Sequence, residues 1–108
     1  MVLFSDEDIV IATVGECRCY VSYSKDQSKA VLFSGNHTTL NRDEETRIIK
    51  ASGFILNDRV NGIYPFTRSI GDFHMKSKEN SLLTSEPSIY SLRREDICRV
   101  IMGTSGVW

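Results

Sequence analysis

Hydrophobic positions in this chain fall in short runs separated by polar turns, and alternation outweighs helical periodicity. Ile9-Val10-Ile11-Ala12-Thr13-Val14 is a β-branched run, apolar on both faces, and Gly15-Glu16 separates it from Cys17-Arg18-Cys19-Tyr20-Val21-Ser22-Tyr23. Runs of this kind predict two strands, and the short Gly15-Glu16 link predicts that they pair as a tight antiparallel hairpin. Ser24-Lys25-Asp26-Gln27-Ser28 reads as a polar turn, and Lys29-Ala30-Val31-Leu32-Phe33-Ser34 as a third strand continuing the meander. One helix is predicted over residues 42–52, with Asn41 as its cap, Glu44 placed as in a capping box, Gly53 as its stop, and Ile48 and Ala51 facing inward. Residues 54–66 read as two short extended pieces around Arg59-Val60-Asn61-Gly62, whose Asn-Gly pair favours the positive φ angles of a hairpin turn. A last strand pair, residues 88–92 and 97–102 about Arg93-Arg94-Glu95-Asp96, closes the pattern. Many antiparallel strands with one mid-chain helix predict an α+β domain.

Composition narrows the classes of function. With 108 residues, 41% of them hydrophobic, the chain can build one core, burying roughly 60 to 70% of the surface its unfolded form exposes. Thirteen basic against fourteen acidic residues leave no basic stripe, so nucleic acid is not an expected partner. The longest apolar stretch, residues 9–14, is far too short for a membrane span, and Met1-Val2-Leu3-Phe4 leads into Ser5-Asp6-Glu7-Asp8 with no basic region before it. No membrane association is expected, and the location is read as intracellular, cytoplasmic or nuclear. Cys17, Cys19 and Cys98 are odd in number and too sparse for a disulfide scaffold, which suits thiols in a reducing compartment. In a strand Cys17 and Cys19 share a face, but a structural zinc site needs four clustered ligands, and His37 and His74 have no matching spacing.

The chemistry is carried by an ordered series of motifs: Thr13-Val14-Gly15-Glu16-Cys17-Arg18, Asn36-His37-Thr38-Thr39, Glu44 with Arg47-Ile48, Arg59-Val60-Asn61-Gly62, Thr67-Arg68-Ser69-Ile70-Gly71-Asp72, Glu86-Pro87 and Ser105-Gly106-Val107-Trp108. The series spans nearly the whole chain and resembles the protein phosphatase 2C family of metal-dependent serine/threonine phosphatases. The resemblance implies a sandwich of two antiparallel sheets flanked by helices, an α-β-β-α arrangement present here only in part. In the family a pair of Mg2+ or Mn2+ ions is held by carboxylates between the sheets. Such a pair lowers the pKa of a bridging water and screens the phosphate it attacks, and oxygen ligands suit these hard ions.

Carried over by position, the resemblance implies that the first metal carboxylates of the family would precede Met1, that the next position is occupied by Ser105, and that the last would lie beyond Trp108. Residues 1–108 are therefore expected to be a middle section, with the N-terminal metal-binding segment and the C-terminal part absent. Glu16 stands where the family has the aspartate of Gly-Asp-Ser-Arg, a residue associated with an additional, weaker metal position, and is the one candidate metal contact left. Asn36 replaces the aspartate of an Asp-His pair. Arg68 and Asp72 fall in the flap beside the cleft; taken alone they read as a surface ion pair. Glu44 and Arg47, three apart on a helix, have the spacing of an exposed ion pair, and Arg59, Asn61 and Gly62 read as a turn.

The implied function is a phosphatase 2C-like chain that keeps the scaffold and lacks the dinuclear centre. No catalytic residue and no cofactor are expected in it, although the family uses Mg2+ or Mn2+. Its role would come from binding a phosphoprotein or a regulatory protein, and its open sheet edges would favour self-association. The alternative is a segment of a divergent active phosphatase, acting on phosphoserine and phosphothreonine proteins with ligands that lie outside this sequence.

Overall fold

The computed structural model describes residues 1–77 and 80–108, arranged as two compact units. The first contains Met1–Thr13, Cys17–Gly35 and Pro87–Trp108; the second contains Val14–Glu16 and Asn36–Glu86. No helix among the described residues is long and apolar enough to cross a membrane.

The first unit is a sandwich of two three-stranded antiparallel sheets. Strands β1 (Val2–Phe4), β2 (Asp8–Thr13), β3 (Cys17–Tyr23), β4 (Asp26–Leu32), β7 (Ser88–Arg93) and β8 (Ile97–Thr104) assort into the orders β1-β2-β7 and β4-β3-β8. Successive side chains of a strand point to opposite faces, and along β2 burial follows that period, with Ile9, Ile11 and Thr13 inside and their neighbours partly open. On β3 the inward residues are Cys19 and Val21. These four apolar side chains, Ile9, Ile11, Cys19 and Val21, form one core, against which Tyr90, Leu92, Ile97 and Val100 pack. Phe33 meets Tyr90 edge to face at 5.5 Å.

The expected hairpin between residues 9–14 and 17–23 does not form. β2 pairs with β1 and β7, while β3 pairs with β4 and β8. The short link turns the chain from one sheet to the other, because facing sheets bury both apolar rows at once, whereas a hairpin in one sheet would leave that face uncovered. The closing pair behaves alike: β7 and β8, joined by a 3₁₀ turn at Arg94–Asp96, lie in different sheets. The β3-β4 pairing is as predicted, in register Val21↔Val31. Between β3 and β8 the register steps from Ser22↔Arg99 to Tyr23↔Ile97, which leaves Cys98 out of the pairing as an exposed bulge residue. After β8 the chain doubles back. Trp108 Nε1 donates to the Gly103 carbonyl at 3.1 Å, and its ring meets Tyr20 at 5.2 Å. Val107 lies so close to Gly103 that a Cβ there would come within 2.9 Å of it.

The second unit is built on the predicted helix α1 (Arg42–Lys50) and on the hairpin β5 (Ile55–Leu56) with β6 (Arg59–Val60). The Asn41 side chain accepts the Asp43 N–H at 3.0 Å, as a cap residue should. The helix stops at Lys50, two residues early. Ser52 takes the left-handed position at φ 63, its N–H bonds to the Ile49 carbonyl, and Gly53 N–H bonds to the Ile48 carbonyl, a Schellman stop in which glycine stands one place later than expected. Gly53 sits close under its neighbours, where a Cβ would come within 2.6 Å of the Leu82 side chain and 2.8 Å of Ile48.

The hairpin turns at Asn57 and Asp58, with φ 52 and 57 as a type I′ turn demands, and not at the expected Asn61-Gly62. Asn61 and Gly62 form a separate turn with φ 49 and 72, leading to a bridge between Val60 and Tyr64. Ile48, Val60 and Leu83 are the apolar centre of this unit, with Tyr64, Phe66, Met75 and Leu82 around them.

Candidate functional site

Glu44 occupies the first turn of α1, four residues before Ile48, so the two share the inward face of the helix. Its carboxylate neither completes a capping box nor faces solvent; the residue is 3% exposed. Arg68 grips one carboxylate oxygen, Oε1, through Nε at 2.9 Å and through Nη2. Arg47 donates to the other, Oε2, at 3.2 Å. A carboxylate that accepts charge-assisted bonds from two guanidinium groups is strongly held in its ionised form. Burial pushes the Glu44 pKa up, but the hydrogen bonds from Arg68 and Arg47 outweigh it and bring the value down to about 2. The hydrogen bond to Glu44 in turn raises the pKa of Arg68.

Both arginines also donate to backbone carbonyls through their Nη atoms. Arg47 Nη1 reaches the Ser81 and Leu82 carbonyls at 3.2 and 3.1 Å, and its Nη2 reaches the Thr67 carbonyl at 2.8 Å. Arg68 Nη1 reaches the Glu86 carbonyl at 2.9 Å. One buried carboxylate thus ties α1 to the segments around Thr67 and around 81–86. These are loops with few ladder bonds of their own, and the guanidinium forks satisfy carbonyls that would otherwise be orphaned.

His37 extends the network. It is fully buried, its carbonyl accepts the Thr67 N–H at 2.9 Å, and its Nδ1 accepts the Gly15 N–H at 3.1 Å. An accepting Nδ1 places the proton of the neutral ring on Nε2. Burial, and next the positive charge of Arg68, lower the His37 pKa and favour that neutral ring. Gly15 has φ +80, and a Cβ there would lie 2.9 Å from the Arg68 carbonyl, so only glycine fits this turn. Glu16 follows it and is exposed.

The predicted site residues fare differently. The Arg68–Asp72 pair is not among the ion pairs of the described residues; the guanidinium pairs instead with the buried Glu44. Asp72 sits in left-handed backbone at φ 49 beneath a 3₁₀ turn, its carbonyl accepting from Met75 N–H at 2.9 Å. The Glu44–Arg47 pair forms, but as part of the buried network and not at the surface. Asn36 is also left-handed, at φ 44, a conformation asparagine tolerates better than most residues. Ser105 is exposed in the turn after β8. Cys19 is buried, which raises its thiol pKa, and Cys98 is exposed.

Among the described residues no group of three or more His, Cys, Asp or Glu is placed to hold a metal ion. Each ion of a Mg2+ or Mn2+ pair wants about six oxygens, most of them anionic when the site is dry. A lone exposed carboxylate at Glu16 and a neutral hydroxyl at Ser105 do not fit that demand, and no hydrolytic step is assigned to these residues. His37 and Thr67 had no sequence signal beyond the Asn-His and Thr-Arg pairs that contain them. Glu44 had one: the four-residue offset from Ile48, which places a charge on the apolar face of the helix.

A family model described as Protein phosphatase 2C matches residues 1–108. The chain is 31% identical to "Probable protein phosphatase 2C 21" of Arabidopsis thaliana over 98% of its own length and 31% of that relative. Against "Protein phosphatase 1A" of Homo sapiens the identity is 29%, covering 99% of this chain and 29% of that protein. Among solved structures, a phosphatase from Toxoplasma gondii superposes with a TM-score of 0.75 at 24% identity, over 92% of this chain and 29% of that one. A C. elegans sex determining protein superposes with a TM-score of 0.74 at 22% identity, over 93% of this chain and 24% of that one. These likenesses carry the mixed α+β fold, mostly antiparallel sheets with one helix, as a shared fold, and the chain spans under a third of the length of each of these proteins.

Proposed function

The chain belongs to the protein phosphatase 2C family, and from that premise we propose that it is a member without a working dinuclear metal centre, acting as a binding or regulatory module. The observation that carries this reading is Ser105, an exposed hydroxyl at the position where the resemblance calls for a metal-binding aspartate. Glu16 supports it: this is the one carboxylate left at a family metal position, and it stands by itself on an open turn. The partner classes are a phosphoprotein and a regulatory protein. Self-association through β1, β4, β7 and β8, each of which pairs on one side within its sheet, accompanies the reading.

The test is hydrolysis of a phosphopeptide and of an aryl phosphate at millimolar Mn2+ and Mg2+. The expected result is no metal-stimulated turnover, and none after Ser105→Asp, since one added carboxylate leaves each cation far short of its oxygen ligands. Metal-dependent turnover that co-purifies with the chain and survives in Ser105→Ala would overturn the reading. It would favour the second one, a segment of a divergent phosphatase, which draws on the identity to proteins named as phosphatases over nearly the whole chain.

A further inference from the structure

The turn between β1 and β2 reads Ser5-Asp6-Glu7-Asp8, one hydroxyl followed by consecutive carboxylates, and all of these residues are exposed. Both strands that it joins belong to this chain and pair with each other, so the surface position of the turn is set by the hairpin itself. Ser5 opens the turn. Its N–H donates to the Asp8 carbonyl at 2.9 Å, its Oγ donates to the same carbonyl at 3.0 Å, and that Oγ accepts the Asp8 N–H at 2.8 Å. The hydroxyl is thereby fixed at the surface with the carboxylates directly after it.

What stands beside it is a cation. Arg94, at the start of the 3₁₀ turn between β7 and β8, donates its N–H to the Glu7 carbonyl at 2.8 Å and its Nη1 to the Ser5 carbonyl at 2.7 Å. Glu95 and Asp96 follow it in the chain and three carboxylates stand in the turn it touches, yet Arg94 is in none of the ion pairs among the described residues. Its guanidinium is tied to the backbone of Ser5 with no carboxylate at ion-pair distance. Arg99 lines the same groove as Arg94, next to Phe4 and Cys98.

A serine followed by a run of carboxylates complements a protein kinase whose substrate groove is basic, and such charge matching fixes register and rejects basic sequences. A phosphate on Ser5 Oγ would bring about −1.5 to −2 charges and three strong acceptor oxygens, which an arginine held at the same residue meets with charge-assisted bonds. The neighbouring carboxylates oppose it. They are exposed, however, and free to rotate into solvent that screens them over about 10 Å, whereas Arg94 is tethered at the site. We propose that Ser5 is a phosphorylation site for an acidophilic serine kinase and that Arg94 receives the phosphate. The kinase transfers the γ-phosphoryl group of a nucleoside triphosphate: the Ser5 Oγ–P bond forms, the bond from that phosphorus to the nucleoside diphosphate breaks, and the hydroxyl proton passes to the kinase. Without that proton Oγ no longer donates to the Asp8 carbonyl, and the phosphate–Arg94 pair holds the turn in its place. Phosphorylation here is independent of whether the family's metal centre works.

In the test, the 108-residue chain is incubated with ATP, Mg2+ and a purified acidophilic serine kinase, beside a kinase that selects basic sequences, and fragment mass spectrometry locates the phosphate. The acidophilic kinase should modify Ser5, Ser5→Ala should abolish the product, and Asp6→Asn with Glu7→Gln should slow transfer by about tenfold. No transfer, equal rates with the two kinases, or phosphate on other residues with Ser5 untouched would each refute the kinase site. The phosphorus resonance of the phosphorylated chain, followed against pH, then reads the role of Arg94. The second pKa of the phosphate should lie below its ordinary value of about 6; a value at or above that overturns the pairing without any substitution. Arg94→Gln should raise it by about half a unit and Arg94→Lys, which keeps the charge, should hold it near that of the parent chain. Identical titrations in the parent and Arg94→Gln chains refute the pairing and leave the kinase site standing.

Discussion

The two units of this chain solve the burial problem in opposite ways. The sandwich closes on Ile9, Ile11, Cys19 and Val21, all apolar, on strands whose alternation is plain. The helical unit has three fully buried apolar residues and, packed among its loops, Glu44 and His37 with Arg47 and Arg68 reaching in. An apolar interlayer gains in proportion to area removed from water and tolerates small errors. A buried ionic network adds little net stability when complete, yet removing one member leaves an uncompensated charge. The first unit is therefore held by many interchangeable contacts, and the second by a few that depend on one another.

That contrast can be broken most forcefully at Glu44. Glu44→Ala leaves two guanidinium groups without their carboxylate, and the expected loss is about 3 to 5 kcal/mol of unfolding free energy by denaturant titration. Arg68→Met in the Glu44→Ala background should then cost less than Arg68→Met alone, because the partners form one network. Additive costs would show that the network is not cooperative.

Acid gives the next largest effect. Glu44 titrates near 2 in the folded chain against an ordinary 4.5. The unfolded chain therefore takes up the proton first, and the contribution of Glu44 is full above pH 4.5 and lost as pH falls toward 2. The loss amounts to about 3 kcal/mol. His37, also lowered from 6.5, adds stability that begins to fade as pH drops below that value. Glu44→Gln should flatten the decline below pH 4.5 and, by removing a charge that raises the His37 pKa, deepen the His37 part. An unchanged decline in that variant would contradict the assignment. The smallest effect belongs to the sandwich: Ile11→Val should cost only about 1 kcal/mol, with no change in pH dependence. A loss as large as that of Glu44→Ala would erase the distinction between the two cores.

What the sequence by itself determined is local. Strand runs and their inward rows, the Asn41 cap and the place of α1 follow from alternation, side-chain hydrogen bonding and glycine, which act over a few residues. The ordered motifs carried the family, and with it the sandwich. Which strands pair was decided by tertiary structure: β2 and β3, neighbours in the chain, face each other across the core because covering both apolar rows outweighs the convenience of a hairpin. The turn of β5 and β6 fell on Asn57-Asp58 because both residues accept positive φ where the strands needed it, and Asn61-Gly62 was left for the next bend. The site was decided the same way. Glu44 reads from sequence as a cap partner or a surface charge, and it becomes the hub of a buried network only when Arg68, twenty-four residues away, arrives beside it. Such pairings are set by desolvation and geometry between distant segments, and no spacing along the chain encodes them.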